Sequence, residues 1–406
     1  MTQKSIAVGV VVLGVGVGIA LLAKGATFEY SAADIVQEIV DRVPLEVPEK
    51  VLHVATPEAV KAIYMTSCVV GTPSFRDELV AVLTTKEFNS IVIDIKDYTG
   101  TLSYDPDDAT LDHAWEHARC GARDMREFIA HLHELGIYVI GRVTVFQDPH
   151  MTARRPDLAV QFASTRETWK DGKGLSFTDV SAQEIWDYHI AIAKDAYAAG
   201  FDEINFDYVR FPSDGPMSDI YFPHSGVTPK DQALEKFFAY LHDNLKDTGI
   251  VTSADIFGMT TTATFDLNIG QVFERALPYF DYIAPMVYPS HYPPGFNGWA
   301  DPNEYPYELI AYVMDEAVRR AESTTTPIAG MTHIRTSPTS TTYTKPFYSR
   351  DMLRTWIQDF DYGGEYGPAE VRAQIQGSYD AGVNSWMVWA PSNRYTLGAY
   401  EDATVD

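Results

Sequence analysis

Asp202-Glu203-Ile204-Asn205-Phe206-Asp207 is the stretch from which the fold can be read. In an extended chain Ile204 and Phe206 fall on one face, and Asn205 and Asp207 on the other. The same division recurs to either side of it. Ile91, Ile93 and Ile95 oppose Val92, Asp94 and Lys96, and Val139, Val143 and Val145 oppose Ile140, Arg142 and Thr144. Ala254 and Ile256 oppose Ser253 and Asp255, and Leu353 and Ile357 oppose Arg354, Trp356 and Gln358. One face is aliphatic and suited to packing on helices. The other turns polar toward the C-terminal end of each strand. A closed barrel of parallel strands needs this pattern, because its functional mouth lies at those ends.

Eight such runs follow one another: Ala62–Ser67, Ser90–Lys96, Ile137–Phe146, Asp202–Asp207, Ile250–Ile256, Tyr282–Tyr288, Leu353–Gln358 and Val383–Trp389. Helical stretches separate most of them, including Cys120–Leu135, Ala182–Ala199, Pro229–Lys246, Glu304–Glu322 and Pro368–Ala381. Alternation of this kind predicts an α/β fold, a (β/α)8 TIM barrel over residues 60–406. A doubly wound sheet is the alternative, but Val69-Val70-Gly71-Thr72-Pro73 is not the glycine-rich loop it needs after its first strand. Residues 323–350, rich in Ser, Thr and Pro, read as an insertion before the seventh strand. A competing reading makes Pro327–Ile334 that strand.

The 406 residues carry 31 Lys and Arg against 56 Asp and Glu, a net charge of −25. That excess argues against nucleic acid, whose binders need a basic footprint. Only Cys68 and Cys120 are present, which excludes a cysteine-built metal site and leaves open one bridge between them. The histidines show no metal-ligand spacing, and no motif calls for a cofactor. Ser5–Ala23 is a long apolar run between Lys4 and Lys24. It has the length to cross a bilayer and reads as an N-terminal transmembrane signal anchor over residues 1–26, with a cleaved secretory peptide as the alternative. Residues 27–59, with three prolines, read as a stalk in which Asp34–Arg42 forms a short helix. The soluble domain is then expected outside the cytoplasm, on the membrane or secreted.

The candidate chemistry lies at strand ends. Asp207 and Asp255 end neighbouring strands and would face each other as a catalytic carboxylate pair. Asp94, Lys96 and Asp97 end the second strand, where an inward acid and amine would position a polar ligand. Arg142 is polar-face on the third strand, and Arg210 could hold Asp207 ionised or bind substrate hydroxyls. Tyr288, His291, Tyr292, Trp356 and Trp389 supply aromatic surface for the apolar faces of sugar rings. Gln358, Asp359, Asn393 and Arg394 add hydrogen-bonding groups. Together these predict a polysaccharide or oligosaccharide ligand.

The chain also resembles a bacterial family of glycoside-hydrolase-like proteins. The matching stretches include Asn89–Asp97, Phe206-Asp207-Tyr208-Val209-Arg210-Phe211-Pro212, Ser253–Gly258, Ala284–Tyr292, Trp356–Phe360 and Trp386–Trp389. They span roughly residues 60–400. The resemblance implies a (β/α)8 barrel and hydrolysis of O-glycosidic bonds in an extracellular or cell-envelope polysaccharide. Asn205 stands where amylase-like barrels have an arginine. Asp202–Asp207 lacks the glutamate that ends the chitinase run, so substrate-assisted chemistry is not expected. The alternative is a catalytically silent barrel that binds glycan or scaffolds the envelope.

Overall fold

The computed structural model describes residues 51–329 and 342–403. The predicted anchor, the helix Asp34–Arg42 and most of the predicted stalk lie outside them. No helix among the described residues is long and apolar enough to cross a membrane.

Eight parallel strands close on themselves: β1 Lys61–Met65, β2 Ser90–Lys96, β3 Tyr138–Thr144, β4 Glu203–Asp207, β5 Val251–Phe257, β6 Tyr282–Met286, β7 Thr355–Gln358 and β8 Trp386–Trp389. β1 pairs with both β2 and β8, so no strand edge is left open. The longer helices outside are α1 Pro73–Thr85, α2 Met125–Glu134, α3 Gln183–Ala199, α4 Lys230–Leu245, α5 Pro306–Glu322 and α6 Pro368–Asp380. Proline opens α1 and α6, where its missing N–H costs no helical bond. Gly200 stops α3 in the left-handed region at φ 117°, and its N–H caps the carbonyls of Ala196 and Tyr197. The seventh strand is the predicted one. Of the insertion, Thr325–Thr326 pairs with Tyr343–Thr344, and residues 330–341 lie outside the described part.

The two predicted faces separate as expected. Ile91, Val139, Ile204, Phe206, Ala254, Ile283, Ile357 and Val388 are buried between strands and helices. Tyr64, Val92, Tyr138, Ile140, Ala284, Trp356 and Met387 fill the interior. The lowest interior layer is polar. Arg354 Nη1 donates to Glu203 at 2.6 and 2.8 Å, and Tyr138 donates its hydroxyl to the same carboxylate at 2.9 Å. Both partners of the ion pair are fully buried, and the Arg354 guanidinium lies 3.6 Å from the centre of the Tyr282 ring.

Residues 51–59 pack against this lower end. Val54 N–H donates to Asp202 at 2.8 Å, Thr56 donates to the Tyr138 hydroxyl at 3.1 Å, and His53 stacks on Tyr197. The compact unit begins at Val51. Cys68 and Cys120 are joined, which ties the short helix Ser67–Val70 after β1 to the segment before α2.

Candidate active site

A cavity of about 520 Å3 opens at the C-terminal ends of the strands, and Arg142, Asp207, Asp255, Tyr288 and Trp389 line it. Register puts these groups level. Arg142 pairs with Asn205, and Asn205 with Ser253, so the next inward positions on β4 and β5 are Asp207 and Asp255.

Arg142 is the centre of the site and is almost wholly buried. Its Nε and Nη2 donate to Asp207 Oδ2 at 2.9 and 2.5 Å. Its Nη1 donates to Asp94 Oδ1 at 2.6 Å, and Asp94 Oδ2 accepts the Tyr64 hydroxyl at 2.5 Å. Asp207 Oδ1 takes the backbone N–H of Tyr208 at 2.5 Å. Tyr208 is in the left-handed region at φ 52°, a conformation that costs a non-glycine residue roughly 1–3 kcal/mol and that the surrounding contacts must hold. Trp389 stacks on Tyr64 and lies 5.1 Å from the guanidinium.

Asp255 sits differently. Its Oδ1 accepts from Asn205 Nδ2 at 2.9 Å and from the Trp356 indole at 2.7 Å. Its Oδ2 stands 3.9 Å from Arg142 Nε. Burial, and next the negative charge of Asp207, push its pKa well above the ordinary carboxylate value, so Asp255 favours the protonated form. Burial also lifts Asp94 to about 6, against the pull of Arg142. Two oxygens at 2.9 and 3.9 Å from one nitrogen are at most about 7 Å apart. That bound, on one oxygen of each carboxylate, admits the roughly 5–5.5 Å of a retaining pair and overlaps the roughly 6.5–9.5 Å inverting range.

Several predicted residues stand elsewhere. Lys96 does not face Asp94. A β-bulge between Asp94 and Lys96 sets Lys96 opposite outward Val143, reversing the alternation. Its ammonium is fully buried, 2.8 Å from Asp148 and 2.5 Å from the Thr144 carbonyl. Ile95 fits because Gly141 has no side chain, a Cβ there falling 2.1 Å from Ile95 Cδ1. Asp97 accepts from Ser67 and Thr99 and borders a further cavity, near the disulfide, rather than the one that holds the carboxylate pair. Gln358, expected at the mouth, is consumed by the Phe360 and Tyr362 carbonyls and by Ser290. Asp359 holds Thr396 and Tyr400. Asn393 binds the Tyr64 carbonyl and Thr66, Arg394 packs over Phe75, and Tyr292 packs against Phe296. Trp356 is 1% exposed and supports Asp255 from below rather than touching the cavity. Arg210 lines the cavity but donates to the Phe211 carbonyl and Ser213, so Arg142 is the group that holds Asp207. His291 lies exposed on the rim, beside Tyr288.

Tyr64, Asn205 and Tyr208 are site residues that the sequence reading did not select. Tyr64 was accessible to it, since Ile63 and Met65 alternate with Ala62 and Tyr64 along β1. Asn205 lies one inward position below Asp207. Tyr208 carried no signal, because a left-handed tyrosine has no sequence signature.

Residues 62–395 match a family model described as "putative glycosyl hydrolase domain". No curated protein matches the chain. Among solved structures, a hypothetical protein from Ruminiclostridium thermocellum ATCC 27405 is 31% identical over 48% of this chain and 96% of its own, with a TM-score of 0.42. The PgaB (BpsB) glycoside hydrolase domain from Bordetella bronchiseptica is 13% identical over 83% of this chain and 95% of its own, with a TM-score of 0.54. Alpha-L-fucosidase isoenzyme 2 from Paenibacillus thiaminolyticus is 12% identical over 84% of this chain, with a TM-score of 0.54. The match covers 48% of the fucosidase's length. The last two likenesses are of fold.

Proposed function

The chain belongs to this family of glycosyl hydrolase domains, and from that premise we propose that it cleaves O-glycosidic bonds with Asp207 and Asp255 as its carboxylate pair. The observation that carries this reading is the inequality of two carboxylates around one guanidinium. Asp207 accepts three N–H bonds, whereas Asp255 is pushed toward its protonated form by burial and by Asp207. Unequal carboxylates facing one cavity are the requirement of glycoside acid–base chemistry.

In this reading Asp207 attacks the anomeric carbon while Asp255 gives its proton to the departing glycosidic oxygen. A water then loses a proton to Asp255 and displaces Asp207 from the sugar. The proton and the carboxylate are both restored. The approach of one oxygen of each carboxylate to the same nitrogen is compatible with this retaining route. Tyr288 and Trp389 offer aromatic surface to the sugar.

The proposed setting is extracytoplasmic, with the segment Ser5–Ala23 as a membrane anchor or a cleaved leader. The joined cysteines support an oxidising compartment. The test is a glycan panel with detection of the product anomer, run on the intact chain and on Asp207→Asn and Asp255→Asn. Loss of cleavage in both variants is expected, and unchanged cleavage in either removes that residue from the mechanism.

A further inference from the structure

Two more cavities adjoin the one that holds the carboxylate pair. The nearer, about 390 Å3, shares Arg142, Tyr208, Arg210 and Trp389 with it and extends to Tyr64 and Tyr98. The farther, about 690 Å3, shares Tyr64, Asp94 and Tyr98 with the nearer one and ends against Arg119 and the Cys68–Cys120 bridge. Shared walls make the three a single groove. It runs from His291, beyond β6, across the mouth to the loops after β1 and β2 on the opposite side of the barrel.

A pocket for one small ligand occupies about 300–1,000 Å3 in all. Here one cavity of that size holds the chemistry, and two more continue from it in one direction. Tyr98 stands where the second passes into the third. It is 57% exposed, and it is an aromatic face with no ring contact among the described residues. An exposed aromatic in a cleft offers an apolar plane to the C–H face of a sugar.

We infer that the ligand is a linear oligosaccharide lying across the whole mouth, cut within the chain rather than at its end. Tyr98 is the remote stacking platform, and the Cys68–Cys120 bridge builds the far wall. The inference rests on the glycosidase reading above.

The test measures affinity of chito-, cello- and malto-oligosaccharides of one to six sugars for the intact chain, by quenching of tryptophan fluorescence. Affinity should climb at least about tenfold from two sugars to six in the recognised series. Tyr98→Ala should weaken the six-sugar ligand about tenfold and leave the two-sugar ligand unchanged. Affinity independent of length, six-sugar binding untouched by Tyr98→Ala, or no binding in any series overturns the inference. Cleavage is scored separately on the same ligands. Length-dependent binding without cleavage would sink the glycosidase reading and uphold the groove, whereas release of single units from chain ends would sink the inner-cutting assignment alone.

Discussion

Arg142 donates to Asp207 twice, through Nε and Nη2, and both bonds end on the same oxygen, Oδ2. The pairing fixes the carboxylate plane and places a buried positive charge beside it. It also makes Asp207 the source of the field that acts on Asp255.

Asp207→Asn keeps the shape and removes that charge. Turnover on the natural glycan should fall about a thousandfold or more. The pKa of Asp255 should fall with it, because one of its two main upward causes is gone. A carbon-13 NMR titration of the Asp255 carboxyl reads the second effect without any substrate. An unmoved Asp255 would break the electrostatic account.

Stability should depend on pH with a definite sign. Asp94 and Asp255 both have folded pKa values above the ordinary carboxylate value, so the folded chain binds more protons than the unfolded one just above that value. Their contribution is full below about pH 4 and is lost as pH rises through about 6 for Asp94 and through the raised value of Asp255. Asp255→Asn does not titrate there. Its melting temperature should therefore fall less than that of the unaltered chain between mildly acidic and neutral pH. Parallel melting curves for the two would contradict this.

Trp356→Phe removes the indole N–H from Asp255 while keeping most of the ring. That bond favours the charged form, so its loss should move the basic limb of the pH–rate profile upward. With the residue out of the cavity, kcat should fall about tenfold and KM should hardly change. A rise in KM alone would mean that the ring touches substrate.

Glu203→Gln breaks the buried pair with Arg354 and leaves an uncompensated guanidinium at the bottom of the barrel. A loss of about 3–5 kcal/mol is expected in denaturant unfolding. The carboxylate pair is two inward positions away on β4, so turnover per folded molecule should survive.

A chain begun at Val51 should melt above one begun at Val60. The second lacks the contacts of His53, Val54 and Thr56 with the barrel's lower end. Equal melting temperatures would show those contacts to be idle.

Strand alternation carried most of the fold. In β4 it assigned Asn205 and Asp207 to the interior correctly, and it did so for Trp356 in β7 and for Arg354 just before it. It failed where the period of two was interrupted. One extra residue at Ile95 turned Lys96 outward, and the only trace in the sequence is Gly141 on the neighbouring strand. It also could not tell a polar side chain facing substrate from one already satisfied. Gln358 and Asp359 have the right chemistry at the right strand end, but loop carbonyls and hydroxyls far away in sequence claim them. Asp207, Asp255 and Arg142 were legible because alternation puts each of them on the inward face toward the C-terminal end of its strand, whereas Glu203 and Arg354, also charged and inward, pair at the other end.

The Arg354–Glu203–Tyr138 layer makes the barrel a cup rather than a tube. Its floor is filled by buried side chains, so the mouth is the opening that water and glycan share. In the proposed retaining cycle the water that releases the sugar from Asp207 would then arrive by the face from which the first product departs, and the rim rather than the floor would set that exchange.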